Sequence, residues 1–186
     1  MNAKKLSFLL LILVAVACTN RSTSSEQDEM RHWNNVLQQI NALLLENKAR
    51  QTLDLAKQTL PEILESAEKN GTTDTLIYYA RKIFNACGNN YINTKQYKDG
   101  IDYMDSIGNH PLIREHCPHE LLSFKAGLNQ LYGNNPEAVR LAEDYLQLPV
   151  CTSANDFIRQ AEIISGVYMY SGNNLPKAIQ ILEKAI

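Results

Sequence analysis

The sequence predicts an all-α protein in which antiparallel helix pairs stack as a solenoid. Three observations carry that prediction. Apolar residues from Met30 onward recur at helical intervals. Only 8 glycines and 6 prolines punctuate 186 residues, too few for an all-β sandwich, which needs a turn signal every ~8–12 residues. A turn-forming string also occurs twice, as Gly133-Asn134-Asn135-Pro136 and Gly172-Asn173-Asn174-Leu175-Pro176. With 45% hydrophobic side chains the chain can bury one core, which excludes a disordered tail. A formal net charge of −2 lacks the basic excess of a nucleic-acid-binding protein.

The first element is an export signal over 1–17. Lys4 and Lys5 form a basic start, Leu6 to Val16 an apolar run, and Ala15-Val16-Ala17-Cys18 a small-residue exit. The run is too short to span a bilayer, which takes ~20 apolar residues. Ala15-x-Ala17 also satisfies an ordinary signal-peptidase site. The segment after it, 18–28, is polar and lacks aromatic and β-branched aliphatic residues, so it reads as a tether. Cleavage removes two of the 18 basic residues, leaving 16 against 20 acidic and a net charge of −4. A body so charged is not drawn to an anionic membrane surface, so an anchor has to be covalent.

From 29 to 186 the chain reads as one helical domain. Trp33, Val36, Leu37, Ile40, Leu43 and Leu44 mark one helix face. Leu53, Leu55, Ala56, Leu60, Ile63, Leu64 and Ala67 mark a second helix, ending at Asn70-Gly71, with a kink or break expected at Pro61. A third helix spans about Thr73 to Thr94. In both joints glycine is expected to supply the left-handed residue, asparagine the cap and proline the first helical turn. The small residues Gly100, Ala138 and Ala178 recur at intervals of 38 and 40. The last apolar face, Ile181-Leu182-x-x-Ala185-Ile186, is followed by no polar capping helix, which makes it a candidate for self-association or for continuation in a longer product.

The chemistry-bearing residues are sparse. There is no nucleophile elbow, no phosphate-binding glycine loop and no His-Glu-x-x-His, so neither an enzyme nor a cofactor is expected. His116-Cys117-Pro118-His119 offers potential zinc ligands without a fourth partner at useful spacing and reads as an inter-repeat loop. Cys87 reads as a small buried hydrophobe. Cys117 and Cys151 fall at the same end of one repeat, where a disulfide is geometrically open to them. Glu62, Glu65 and Glu68 read as a solvated face. His32 and His110 stand alone, and Asn89-Asn90 lies inside a predicted helix.

Two resemblances rest on these residues. The apolar run ending Ala17-Cys18 resembles a bacterial lipoprotein signal, which implies acylation of Cys18 and a mature protein beginning there. Thr19, in place of the aspartate that retains such proteins at the inner membrane, implies the outer membrane, facing the periplasm. Cys87-Gly88-x-x-Tyr91 and Tyr97-x-x-Gly100-Ile101-x-x-Met104 resemble the tetratricopeptide consensus, and the intervals exceed its ~34 residues, so extra residues sit between repeats. That family lines its concave face with positions two, five, nine, twelve and thirteen of each first helix. With repeats starting at Arg81, His119 and Ile158, the resemblance places Lys82, Asn85, Asn89, Asn93, Glu120, Ser123, Gln130, Arg159, Glu162 and Tyr170 there. It implies a protein or peptide partner, whose acidic forms Glu120 and Glu162 are expected to repel. The exported start and degenerate repeats also resemble the N-terminal regions of tetratricopeptide-containing sensor histidine kinases, an alternative that makes the chain a sensory fragment in signal transduction.

Overall fold

The computed structural model describes residues 27–149 and 154–184, at 154–157 by backbone alone. Among the described residues all regular structure is helical. The signal, Cys18 and Cys151 lie outside them. The chain divides into two units, one running to Gln39 and the other from Ile40.

In the first unit the described residues are the start of helix α1 (27–45). The helix begins two residues inside the stretch read as tether. There Arg31 pairs with Asp28 one turn earlier, and the His32 ring meets Trp33 edge-on at 4.5 Å between centroids.

In the second unit α2 (Ala49–Asn70) stops at Gly71, whose φ of 86° is one that glycine adopts far more readily than any other residue. Pro61 neither ends nor interrupts α2. The proline itself is exposed, while Leu60 and Ile63 on either side are fully buried. Packing on that side holds the helix across the hydrogen bond a proline cannot make. Helix α3 (Asp74–Asn93) is capped by Thr73, whose Oγ1 accepts from the Leu76 N–H at 3.2 Å.

Then come α4 (Tyr97–Ile107), a short α5 (Pro111–His116) and α6 (Pro118–Tyr132). In the first interval the extra residues are therefore largely α5, which buries Leu112 and Ile113. His110 is not alone, because its Nδ1 caps α5 at the Leu112 N–H while its Nε2 lies 3.1 Å from Glu68. Glu62, Glu65 and Glu68 are exposed, as their spacing predicts. Cys117 sits between α5 and α6, and Pro118 opens α6.

The two later joints differ. At the end of α6, Gly133 is left-handed (φ 94°) and leads into α7 (Asn135–Leu146). Between α8 (Ala154–Tyr170) and α9 (Leu175–Glu183) the left-handed residue is Asn173 (φ 47°), not Gly172. The additional residue of this copy moves the reversal one step along the chain, and asparagine tolerates that region better than most side chains. Asn174 then caps α9, accepting from the Lys177 N–H, whereas Asn134 makes no side-chain cap.

Packing follows the chain: α2 on α3, α3 on α6, α6 on α7 and α8, and α8 on α9. Ala138 and Ala178 are fully buried, and a Cβ on Gly100 would lie 3.0 Å from both Tyr91 and Leu128. Lys177 pins the last joint, paired with Glu143 at 2.6 Å and lying 4.4 Å above the Tyr168 ring.

Cys87 and Cys117 are buried free thiols, and burial pushes each up to about 12. The folded state therefore keeps two protons that the unfolded chain, with thiols near ~8.5, gives up. This stabilisation is complete below the unfolded value and is lost as pH rises toward 12, at about 1.4 kcal/mol per pH unit for each thiol. Under reducing conditions the urea midpoint should fall steadily between pH 8.5 and 10, and Cys87→Ala/Cys117→Ala should flatten the decline. A wild-type midpoint that does not move over this interval would mean that the thiols are solvated.

Candidate functional site

Lys82, Asn85 and Asn89 succeed one another on α3 at steps of three and four, which puts them on one helix face. Phe124 of α6 and Arg159, Gln160 and Ile163 of α8 complete the walls of an open pocket of about 150 Å³. Four residues named from the sequence, Lys82, Asn85, Asn89 and Arg159, thus meet at one place. Lys82 also lies 5.8 Å above the Tyr78 ring. The buried members, Phe124 and Gln160, form the floor. Two cationic side chains and three amides line the pocket, and no carboxylate does among the described residues.

The remaining named residues lie elsewhere. Asn93, Glu162 and Tyr170 are exposed and do not line the pocket, and Gln130 is half-buried with its Oε1 toward Gly166. Glu120 and Ser123 are corrections. Glu120 is only 2% exposed and faces Arg81, whose Nε lies 3.2 Å from its Oε1. Ser123 is fully buried and donates to the Glu120 carbonyl at 3.1 Å. Beside them the Cys117 thiol is raised by burial first and by the Glu120 charge second. Neither carboxylate expected to repel acidic ligands lines this pocket: Glu120 is buried against Arg81, and Glu162 is exposed away from the wall.

A one-residue register error accounts for both corrections and for the residues that sequence reasoning missed. Gly88, Gly127 and Gly166 recur at intervals of 39 on α3, α6 and α8. A Cβ on Gly88 would lie 2.4 Å from the Phe124 ring, and one on Gly127 would lie 2.8 Å from Ile163, so each glycine marks where one of these helices meets the next. Counting from the glycines moves the second and third helix starts to Glu120 and Arg159. Position five becomes Phe124 and Ile163, and position two of the third helix becomes Gln160. All three line the pocket. The recurring glycine was the signal that could have found them.

Gln160 is 3% exposed, and its Oε1 accepts from the Tyr145 hydroxyl of α7 at 3.1 Å. Its Nε2 has no partner. Asn90, by contrast, turns inward and donates to the Ala86 carbonyl one turn back, leaving Asn89 alone of that pair at the pocket. Among the described residues no group of His, Cys, Asp and Glu is arranged to hold a metal, and no helix is long and apolar enough to cross a membrane.

Fold and site together define an all-α protein of helices packed on their neighbours, with a cationic, amide-rich pocket across α3, α6 and α8. No protein-family model, no curated protein and no solved structure matches the chain.

Proposed function

We propose that this chain is a non-enzymatic scaffold of tetratricopeptide-like repeats, exported and tethered to a bacterial membrane through Cys18, that binds an extended peptide or protein segment. One observation carries the reading. Helices α3 and α8 turn Lys82, Asn85, Asn89 and Arg159 into a single open pocket, to which α6 adds Phe124. Amides suit the carbonyls and N–H groups of an extended chain, because they donate and accept, and the two cations add attraction for negative charge. The 39-residue recurrence of a small residue on the stacked helices supports the repeat assignment. The tether rests on the sequence alone, on the apolar run ending at Cys18 and the polar stretch after it.

The test has two arms. A random peptide library selected on the full chain is expected to enrich acidic sequences, and Lys82→Glu/Arg159→Glu is expected to abolish that enrichment while leaving the helical circular dichroism unchanged. Peptides that bind both proteins equally would place the site elsewhere. Labelled palmitate is expected to enter the chain in a bacterial host and to be lost in Cys18→Ser. Secretion of a soluble product with an unmodified Cys18 at its N-terminus would remove the tether from the proposal.

A further inference from the structure

We infer that Gln160 reads the chemistry of the ligand in this pocket, donating through Nε2 to a carboxylate oxygen of the bound peptide, and that Tyr145 is the positioning residue that orients its amide. The inference rests on the pocket being the peptide site. It adds a residue and a ligand class that the helix stripe on α3 does not supply.

The amide has two ends, and the fold uses one. Oε1 is held by the Tyr145 hydroxyl at 3.1 Å, and Tyr145 is itself buried, with its ring edge-on to His119 at 5.6 Å between centroids. Nε2 is buried without a partner in a side chain that lines the pocket. Leaving an amide donor unsatisfied is costly, so a ligand that brings an acceptor gains what the empty pocket lacks. A carboxylate accepts at both oxygens and donates at neither. It can take Nε2 on one side and the Lys82 or Arg159 charge on the other, where a primary amide would set its own NH₂ against these donors. Phe124 and Ile163 offer an apolar wall for the carbon chain behind the carboxylate. Because Nε2 is covered in the empty pocket, binding requires the amide to pivot about its Tyr145 hydrogen bond, a motion that the soft terminal torsion of glutamine allows.

Three blocked amino acids test this on the ¹⁵N-labelled full chain. Acetyl-glutamate amide carries only a side-chain carboxylate, acetyl-alanine carries only a terminal one, and acetyl-glutamine amide is the uncharged isostere of the first. The side-chain NH₂ signal of Gln160, assigned by its loss in Gln160→Met, should shift with at least one of the two acids, and which acid moves it identifies the source of the carboxylate. That acid should bind about tenfold more tightly than its own primary amide, acetyl-glutamine amide for the first acid or acetyl-alanine amide for the second, as one charge-assisted hydrogen bond allows. Gln160→Met should remove most of that ratio. Tyr145→Phe, which keeps the ring but frees the amide to flip, should lower the ratio while leaving the backbone spectrum of α3 in place. If Lys82 and Asn85 respond and the Gln160 signal does not, the pocket reading stands and this inference falls. Equal binding of acid and amide by wild type overturns it as well. Silence of every pocket residue toward all three probes overturns both.

Discussion

Arg81→Met is expected to cost about 3–5 kcal/mol, the range for removing one partner of a buried charge pair. The reason is the asymmetry between the two groups. Glu120 is 2% exposed, whereas the Arg81 side chain is one-third exposed and also donates to the His116 carbonyl. Losing the guanidinium takes the Arg81 countercharge from a carboxylate that is almost wholly buried. Losing the carboxylate, as in Glu120→Leu, leaves a cation that can turn toward solvent. The single variants should therefore be unequal, with Arg81→Met much the worse by urea midpoint. Arg81→Met/Glu120→Leu should recover most of the loss, because a well-packed apolar pair often replaces a buried ion pair without penalty. An Arg81→Met protein as stable as wild type would show that the Glu120 carboxylate does not depend on this cation. This pair also ties α3 to the α5–α6 segment, the point where the extra helix enters.

What the sequence made legible was what local chemistry decides. Thr73 opens α3 and Gly71 closes α2 as the residues foretell, because a cap and a positive-φ glycine answer to the few backbone groups beside them. Pro61 fails to break its helix for the converse reason. A proline is a local cost, and the burial of Leu60 and Ile63 that overrides it is a tertiary fact. Gly172 misled by one position, since the longer joint lets Asn173 take the reversal. Of the stripe on α3, Lys82, Asn85 and Asn89 fall at the pocket and Asn93, one turn further on, does not. On α6 and α8 the expected starts, His119 and Ile158, fall one residue ahead of the register that the recurring glycines mark. A slip of one residue turns a helix face by about 100°, enough to exchange Phe124 for Ser123 at the pocket wall and Gln160 for Arg159 at position two. Arg159 still lines the pocket, because it neighbours the true position. The bond between Tyr145 and Gln160 joins two helices, and no spacing rule announces it.

The three recurring glycines give the last prediction, in which one substitution has opposite signs at equivalent places. In a helix interior glycine is about 1 kcal/mol worse than alanine, so Gly→Ala is favourable wherever a methyl has room. At Gly166 the nearest atom to a new Cβ is the Gln130 Oε1 at 4.0 Å, and Gly166→Ala should raise stability by up to that amount. At Gly127 the methyl would come within 2.8 Å of a single Ile163 methyl, on a side chain at the pocket wall with some freedom to move. At Gly88 three atoms of the Phe124 ring lie between 2.4 and 2.6 Å, and that ring is buried and packed edge-on against Phe84 at 6.2 Å. It cannot retreat without parting α3 from α6, so Gly88→Ala should cost about 1–3 kcal/mol, with the propensity gain overwhelmed. Urea midpoints should then rank Gly166→Ala above wild type, Gly127→Ala below Gly166→Ala, and Gly88→Ala lowest of all. Shrinking the ring in Gly88→Ala/Phe124→Leu should restore part of the loss, although Phe124→Leu alone is destabilising, because the two changes share one space and do not add. If Gly88→Ala proved as stable as Gly166→Ala, the close approach of α3 to α6 would be wrong, and with it the register that brings Lys82, Asn85, Asn89 and Gln160 to a common pocket.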